Sequence, residues 1–215
     1  MQEYSLKMQN SVENLQNWEK CSTFAGQNLK AMNNHFIVIA EAGDFIGEQK
    51  LISQYLKGEM RKEQGERGHW VMADGSVWDI IVTGVGAINV MHTLNDLPRN
   101  AKIINIGYAG SANYAIGSAV CVNEARLNHP CVSYPEPELP LQKMPAAYLQ
   151  SPEQCIEAVC YSNTDFVLQS DYTDCVFDME LAYIAALGFE TLYSLKIVSD
   201  NLSLHDYREV AAGVE

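Results

Sequence analysis

The sequence predicts an α/β protein with three layers, α/β/α, around a central mixed and mostly buried sheet. Two observations carry this reading. From His35 onward, short apolar runs such as HFIVIAEA, AKIINIG and TLYSLKIVS alternate with segments whose apolar residues recur at helical spacing. Those runs are apolar at consecutive positions, as in strands covered on both faces, and not every connection between them needs to be a helical crossover, so the sheet is mixed. At 215 residues and 47% hydrophobic content, the chain can bury roughly 70% of its unfolded surface in one core.

Residues 1–34 stand apart. They are rich in Asn and Gln with weak helical periodicity, which predicts an N-terminal helical or partly ordered extension before a domain over residues 35–215. HFIVIAEA then reads as a buried strand, followed by a helix in FIGEQKLISQYLKG with Ile46, Leu51, Ile52 and Tyr55 as its apolar positions. GHWVMADGSVWDIIVTG reads as a hairpin turning on the two residues Asp74 and Gly75. AINVMHTLNDL is an amphipathic helix stopped by Pro98, and AKIINIG and IGSAVCVNEARL are strands. The proline-rich HPCVSYPEPELPLQKMP is a loop, CIEAVCYS and TLYSLKIVS complete the core, and SLHDYREVAAG closes the chain as a helix.

Composition narrows the classes of function. A formal net charge of -13 argues against a nucleic-acid partner and against an anionic membrane surface. No apolar run approaches the roughly 18 residues of a membrane span, and the polar N-terminus lacks a secretory h-region. Cys21, Cys121, Cys131, Cys155, Cys160 and Cys175 form no CxxC pair and read as reduced thiols of a cytoplasmic protein. The histidines show no ligand spacing, so neither a metal nor another cofactor is expected. TGVGAINV lacks the third glycine of a dinucleotide fingerprint, with Ala87, Ile88 and Asn89 following Gly86.

The stretch VFDMELAYIAALGFETLYSLKIVSDN carries an acid near each end, Glu180 and Asp200. Asp178 as N-cap and Gly188 as C′ residue predict a helix over about Met179–Leu187, with Glu180 in its first turn where the dipole favours an anion. A helix packed on the sheet ahead of its strand runs antiparallel to that strand, so Glu180 and Asp200 both reach the edge where α/β sheets bind ligands. On the residues alone, dipole complementation by Glu180 and loop capping by Asp200 explain the two acids as well.

The same stretch resembles the Met-Glu helix and Ser-Asp strand end of the nucleoside phosphorylase superfamily, nearest to the 5′-methylthioadenosine/S-adenosylhomocysteine nucleosidases. TGVGAINV, INIGYAGSANYAIGSAVCVNEAR and YSNTDFV resemble further family segments in the same order, over residues 35 to about 210. The resemblance implies a nucleoside phosphorylase-like fold and a purine nucleoside N-ribosyl hydrolase acting on an adenosine-type nucleoside, with or without a 5′-alkylthio group. It implies Asp200 as the acid at purine N7, Glu180 and Met179 at the ribose, and Phe166 stacked on the base with the backbone near Val167 reading its edge. It also implies Ala109 and Gly110 beside the sugar, Gly86 in the Gly-x-Gly turn, and a homodimer or higher homo-oligomer.

The family's water-activating Glu has no single counterpart in AEAGDFIGEQK: Asp44 is the first candidate, Glu48 the second, and Glu41 falls at the strand end. Tyr108 replaces a small residue, commonly Ser, and either narrows the ribose or phosphate pocket or packs. None of Arg61, Arg67, Arg99, Arg126 and Arg208 lies in the turns that bind phosphate in phosphorylases, which favours water as the nucleophile. A phosphorylase and a non-catalytic nucleoside-binding protein are the alternatives. His205, Trp70 and Trp78 read as surface or packing residues.

Overall fold

The computed structural model describes residues 34–41, 47–61, 68–128 and 138–212. The expected N-terminal extension (all but Asn34), Asp44, Ile46 and most of the proline-rich loop lie outside them. β1 (His35–Ile39) is parallel to β4 (Val77–Val82) on one side and to β5 (Lys102–Gly110) on the other. β5 continues into the parallel β10 (Thr191–Asp200), which pairs antiparallel with β6 (Ala119–Leu127). β6, β8 (Ile156–Ser162) and β9 (Cys175–Asp178) are parallel neighbours. β9 returns to β5 through Gly110 opposite Phe177, so this part of the sheet closes on itself. Beyond β4, the sheet extends antiparallel through β3 (His69–Met72) to the edge strand β2 (Gly58–Arg61), and β7 (Leu139–Pro140) pairs with β6.

Alternation along β1 explains how the helices attach. Phe36 and Val38 join an apolar cluster with Val90 and Leu94 of α2 (Ala87–Leu94) and with Leu181, Ala182 and Ile184 of α3 (Leu181–Ala186). Ile37 and Ile39 face the other way. They join Leu51 and Ile52 of α1 (Gln49–Tyr55), and Tyr207 and Val210 of α4 (Leu204–Ala212) pack against that cluster. A mixed sheet with helices is therefore observed, as the sequence predicts. No helix among the described residues is long and apolar enough to cross a membrane.

Three local expectations are corrected. The hairpin loop has three residues, Ala73–Gly75: the Met72 N–H bonds to Ser76 O at 2.9 Å, and Gly75 takes φ 84°. Asp74 accepts from the Ser76 N–H and hydroxyl, which fixes this longer turn. α3 begins at Leu181 rather than Met179, because Val176–Asp178 are drawn into β9 by pairing with β8. β2 and β9 have no helical or apolar signature long enough to stand out; GEMR is an exposed, charged edge and CVFD has four residues.

Trp78 is fully buried, with His35 stacked at 4.9 Å, Tyr148 edge-on at 5.8 Å and its indole N–H donated to Ser76 Oγ at 2.8 Å. Trp78→Ala is expected to lower the unfolding free energy in urea titration by about 3–5 kcal/mol.

Candidate active site

β10 carries Asp200 to the carboxyl edge of the parallel strands. The register slips after Val198, which pairs with Ala109, so that Asp200 pairs with Gly110 and Ser199 is the extra residue. Such a bulge re-aims a side chain at a strand end. Asp200 Oδ2 accepts from the Ser199 hydroxyl at 2.8 Å, and Oδ1 from the Ser203 N–H at 3.2 Å. Gly110 clears the space, since a Cβ there would sit 2.8 Å from Asp200 Oδ1. Burial pushes the carboxyl above the ordinary range, against the lowering effect of these hydrogen bonds.

Glu180 is the N-cap residue of α3 rather than part of its first turn. The first-turn N–H of Leu181 is satisfied by Asp178 Oδ2 at 2.9 Å, and that of Ala182 by Ser162 Oγ at 2.8 Å. Glu180 is thereby free to reach across to the turn before α2, where its Oε1 accepts from the Gly86 N–H at 2.8 Å. Gly86 has φ 87°, a conformation that favours glycine and leaves its N–H aimed at the acid. Burial, reinforced by Asp178, pushes the Glu180 carboxyl up to about 7, while Lys196 and the Gly86 N–H oppose the shift.

Glu48 is the third buried acid. At the N-cap of α1, it turns inward rather than capping its helix. Oε2 accepts from the Ala40 N–H at 2.6 Å and the Glu41 N–H at 3.3 Å, and Oε1 from the Tyr108 N–H at 3.0 Å. It lies over Gly107, where a Cβ would come within 2.5 Å of Oε1. Burial raises its pKa, and Lys196 is the largest effect acting against that.

Lys196 is a member of this cluster that the sequence reading passed over. It is 2% exposed, and its Nζ lies 2.7 Å from Asp178 Oδ2. The other Asp178 oxygen accepts from Ser162 Oγ at 2.5 Å. A lysine in the middle of LYSLKIVS was the available signal, because a cation on a buried strand requires an anionic partner. The partner comes from β9, which the sequence did not reveal.

Asp200, Met179, Phe166, Val167 and Gly110 line one cleft, together with Asp165, Phe177, Asp178 and Leu202. Its volume is about 30 Å³. Leu202 enters it with φ 60°, a left-handed conformation uncommon outside glycine. Ala109 is buried in β5 beside Val198. Tyr108 packs on the α1 and α4 side, edge-on to Tyr207 at 6.3 Å, and Tyr207 in turn meets Phe166 at 5.7 Å. Glu180, Glu48, Tyr108, Ala109 and Gly86 are not on the cleft wall. A larger cleft, about 360 Å³, lies between Tyr55 of α1 and the turn Leu149–Cys155, and none of the expected residues lines it. Among the described residues, no group of three or more His, Cys, Asp or Glu is placed to hold a metal ion.

The fold is shared with solved structures. An MTAN from Chlamydia trachomatis bound to adenine matches at TM-score 0.59 and 16% identity, covering 82% of this chain and 88% of that one. The 5′-methylthioadenosine/S-adenosylhomocysteine nucleosidase of S. pneumoniae, with a transition-state inhibitor, matches at 0.59 and 15% identity, covering 83% and 92%. That of Helicobacter pylori, with butyl-thio-DADMe-Immucillin-A, matches at 0.58 and 16%, covering 86% and 93%. No family model matches the sequence, and no curated protein matches it significantly.

The raised Glu180 carboxyl makes stability depend on pH. Its folded form binds the proton more tightly than the unfolded chain, so its contribution is complete below 4.5 and is lost as pH rises through about 7. Glu180→Gln is expected to gain on the wild type across that window, by on the order of 3 kcal/mol above it, in urea unfolding at a series of pH values. A difference that stays constant with pH would contradict this.

Proposed function

We propose that this chain is a purine nucleoside N-ribosyl hydrolase, acting through water on an adenosine-type nucleoside with or without a 5′-alkylthio group. The observation that carries the proposal is Asp200 on one cleft wall with Phe166 and Met179, while Glu180 and Glu48 are buried at the same carboxyl edge of the sheet. We read the helices on the two sides of β1 as the outer layers of a three-layer fold. The same reading includes a homo-oligomer in the cytoplasm.

Cleaving an N-glycosidic bond leaves positive charge on the ribosyl carbon and ring oxygen and drives electrons into the purine. Asp200, its pKa raised by burial, holds a proton for N7 and releases the base as a neutral leaving group. Glu180 engages the ribose hydroxyls, where a carboxylate favours the cationic transition state over the neutral ground state. Met179 lies under the sugar, with Ala109 and Gly110 beside it. Phe166 stacks on the base, and the backbone at Val167 reads its edge.

For activation of water, the geometry favours Glu48, the second of the sequence candidates; Asp44 lies outside the described residues. Glu48 is buried, held by backbone N–H groups of β5 and the β1 end, and the charge of Lys196 acts against the effect of its burial. Lys196 is already matched by Asp178 and faces two further acids. A phosphate dianion would be repelled by this cluster, which supports water over phosphate.

Release of free base from methylthioadenosine, adenosine and inosine, with and without phosphate, tests the reading. Phosphate-independent release is expected, falling roughly 10²- to 10⁴-fold in Asp200→Asn. Release that needs phosphate would indicate a phosphorylase. Binding without release would indicate a nucleoside-binding protein. Gly107→Ala, whose new methyl displaces the Glu48 carboxylate, is expected to cost roughly 10²-fold in kcat while the circular dichroism spectrum is kept.

A further inference from the structure

Lys196 sits at the crossing point of the buried acids. In the register between β5 and β10 it is directly opposite Gly107, the residue whose missing side chain makes room for the Glu48 carboxylate. Its Nζ contacts Asp178, whose same oxygen holds the first N–H of α3 and so fixes the helix whose N-cap is Glu180. A buried lysine that required only a counter-ion would be satisfied by Asp178. This one also lies on the face of the sheet where the Glu48 carboxylate turns in, and the charges of Glu180 and Glu48 act on it besides that of Asp178.

We infer that Lys196 is a positioning residue of the site: through Asp178 it fixes the start of the helix that carries Glu180, and from its place opposite Gly107 its charge favours the ionised form of Glu48. The inference rests on the nucleosidase reading for its consequence in catalysis, and on the buried geometry around Asp178 and Gly107 for its placement. Lys196 is faced by Asp178 at the end of β9, Cys160 of β8, Glu180 at the N-cap of α3 and Glu48 at the N-cap of α1. Burial alone would strip its proton, and the carboxylates reverse this, holding it protonated above the ordinary lysine range. Glu48 faces Lys196 and the N–H groups of Ala40, Glu41 and Tyr108. Glu180 faces Asp178, Lys196, the Gly86 N–H and Glu48, while the phenols of Tyr183 and Tyr207 are both affected by its charge.

With Asp178 already matched by Lys196, each ionised glutamate adds a net negative charge to the cluster, which suits a ribosyl cation better than a neutral sugar. Without Lys196, Glu48 would hold its proton to higher pH and no longer accept one from water. With Asp178 neutral instead, the whole charge of Lys196 would act on the two glutamates and lower them.

The test compares three variants with the wild type in pH profiles of kcat/KM for base release and in NMR titrations of carboxyl-labelled glutamate. The double variant Lys196→Met with Asp178→Asn leaves no buried charge unmatched and is expected to fold. Its acidic limb, and the titration of its buried glutamate, are expected to move up by about one pH unit or more, a tenfold loss of rate on that limb. Lys196→Arg keeps the charge and is expected to keep the limb. Asp178→Asn alone is expected to move it down, and this arm decides the matter if the double variant does not fold. A limb and titrations that stay in place, or that move the same way in Asp178→Asn and the double variant, would overturn the inference. Glutamate titrations that move as stated in a protein that cleaves no nucleoside would uphold the Lys196 assignment and sink the nucleosidase reading.

Discussion

The parallel ladder between β5 and β10 is the constraint on which the rest of the molecule depends. It runs from Thr191 opposite Lys102 to Asp200 opposite Gly110, and each strand has a second neighbour that carries part of the site. β10 hands over to β6, β6 to β8 and β8 to β9, and β9 closes the circuit at Gly110. Because the ladder is parallel, both strands end at the same edge, and the loops and helix starts that follow them meet there. Two glycines of β5, Gly107 and Gly110, lie opposite Lys196 and Asp200. A side chain at either would collide with a carboxylate, so the spacing of the acids is built into the backbone of one strand.

Electrostatics add a second constraint at that edge. Glu48, Asp178, Glu180 and Lys196 join Asp200 among the charged side chains that are nine-tenths or more buried, a costly arrangement unless each is matched. The matches come from distant parts of the chain: backbone N–H groups of Ala40 and Tyr108 for Glu48, Gly86 for Glu180, and Ser162 and Lys196 for Asp178. The bonds of Glu48, Glu180 and Lys196 join elements that are not paired with each other in the sheet. The cluster accordingly fixes the starts of α1 and α3 against the strand ends.

The aromatic contacts beside the acids are built differently. Tyr108, Tyr207 and Phe166 form a chain of ring contacts in which Phe166 alone lines the cleft, and Tyr207 belongs to the last helix. The acids are therefore held by charge and hydrogen bonds, and these rings by packing.

Apolar periodicity made the helices and the long strands legible, because burial of Phe36 to Ile39, Ile103 to Ile106 or Leu195 to Val198 demands it locally. Glu180 and Asp200 stood out in the sequence for the complementary reason: an acid beside an apolar run is conspicuous. β2, β7 and β9 were not legible, since strands this short take their conformation from the partner they pair with. The N-terminus of α3 was misplaced by two residues for the same reason, as pairing with β8 holds Val176–Asp178 extended where capping chemistry favoured a helix at Met179. Lys196, Ser162 and the choice among the acids near β1 depended on which side chains meet across long sequence separations. The sequence by itself determined the alternation of strands and helices and the two acids at their ends. Only the tertiary structure decided which groups are buried together, because the sign and size of an electrostatic interaction depend on distance and solvent exclusion, and neither exists until the chain has folded.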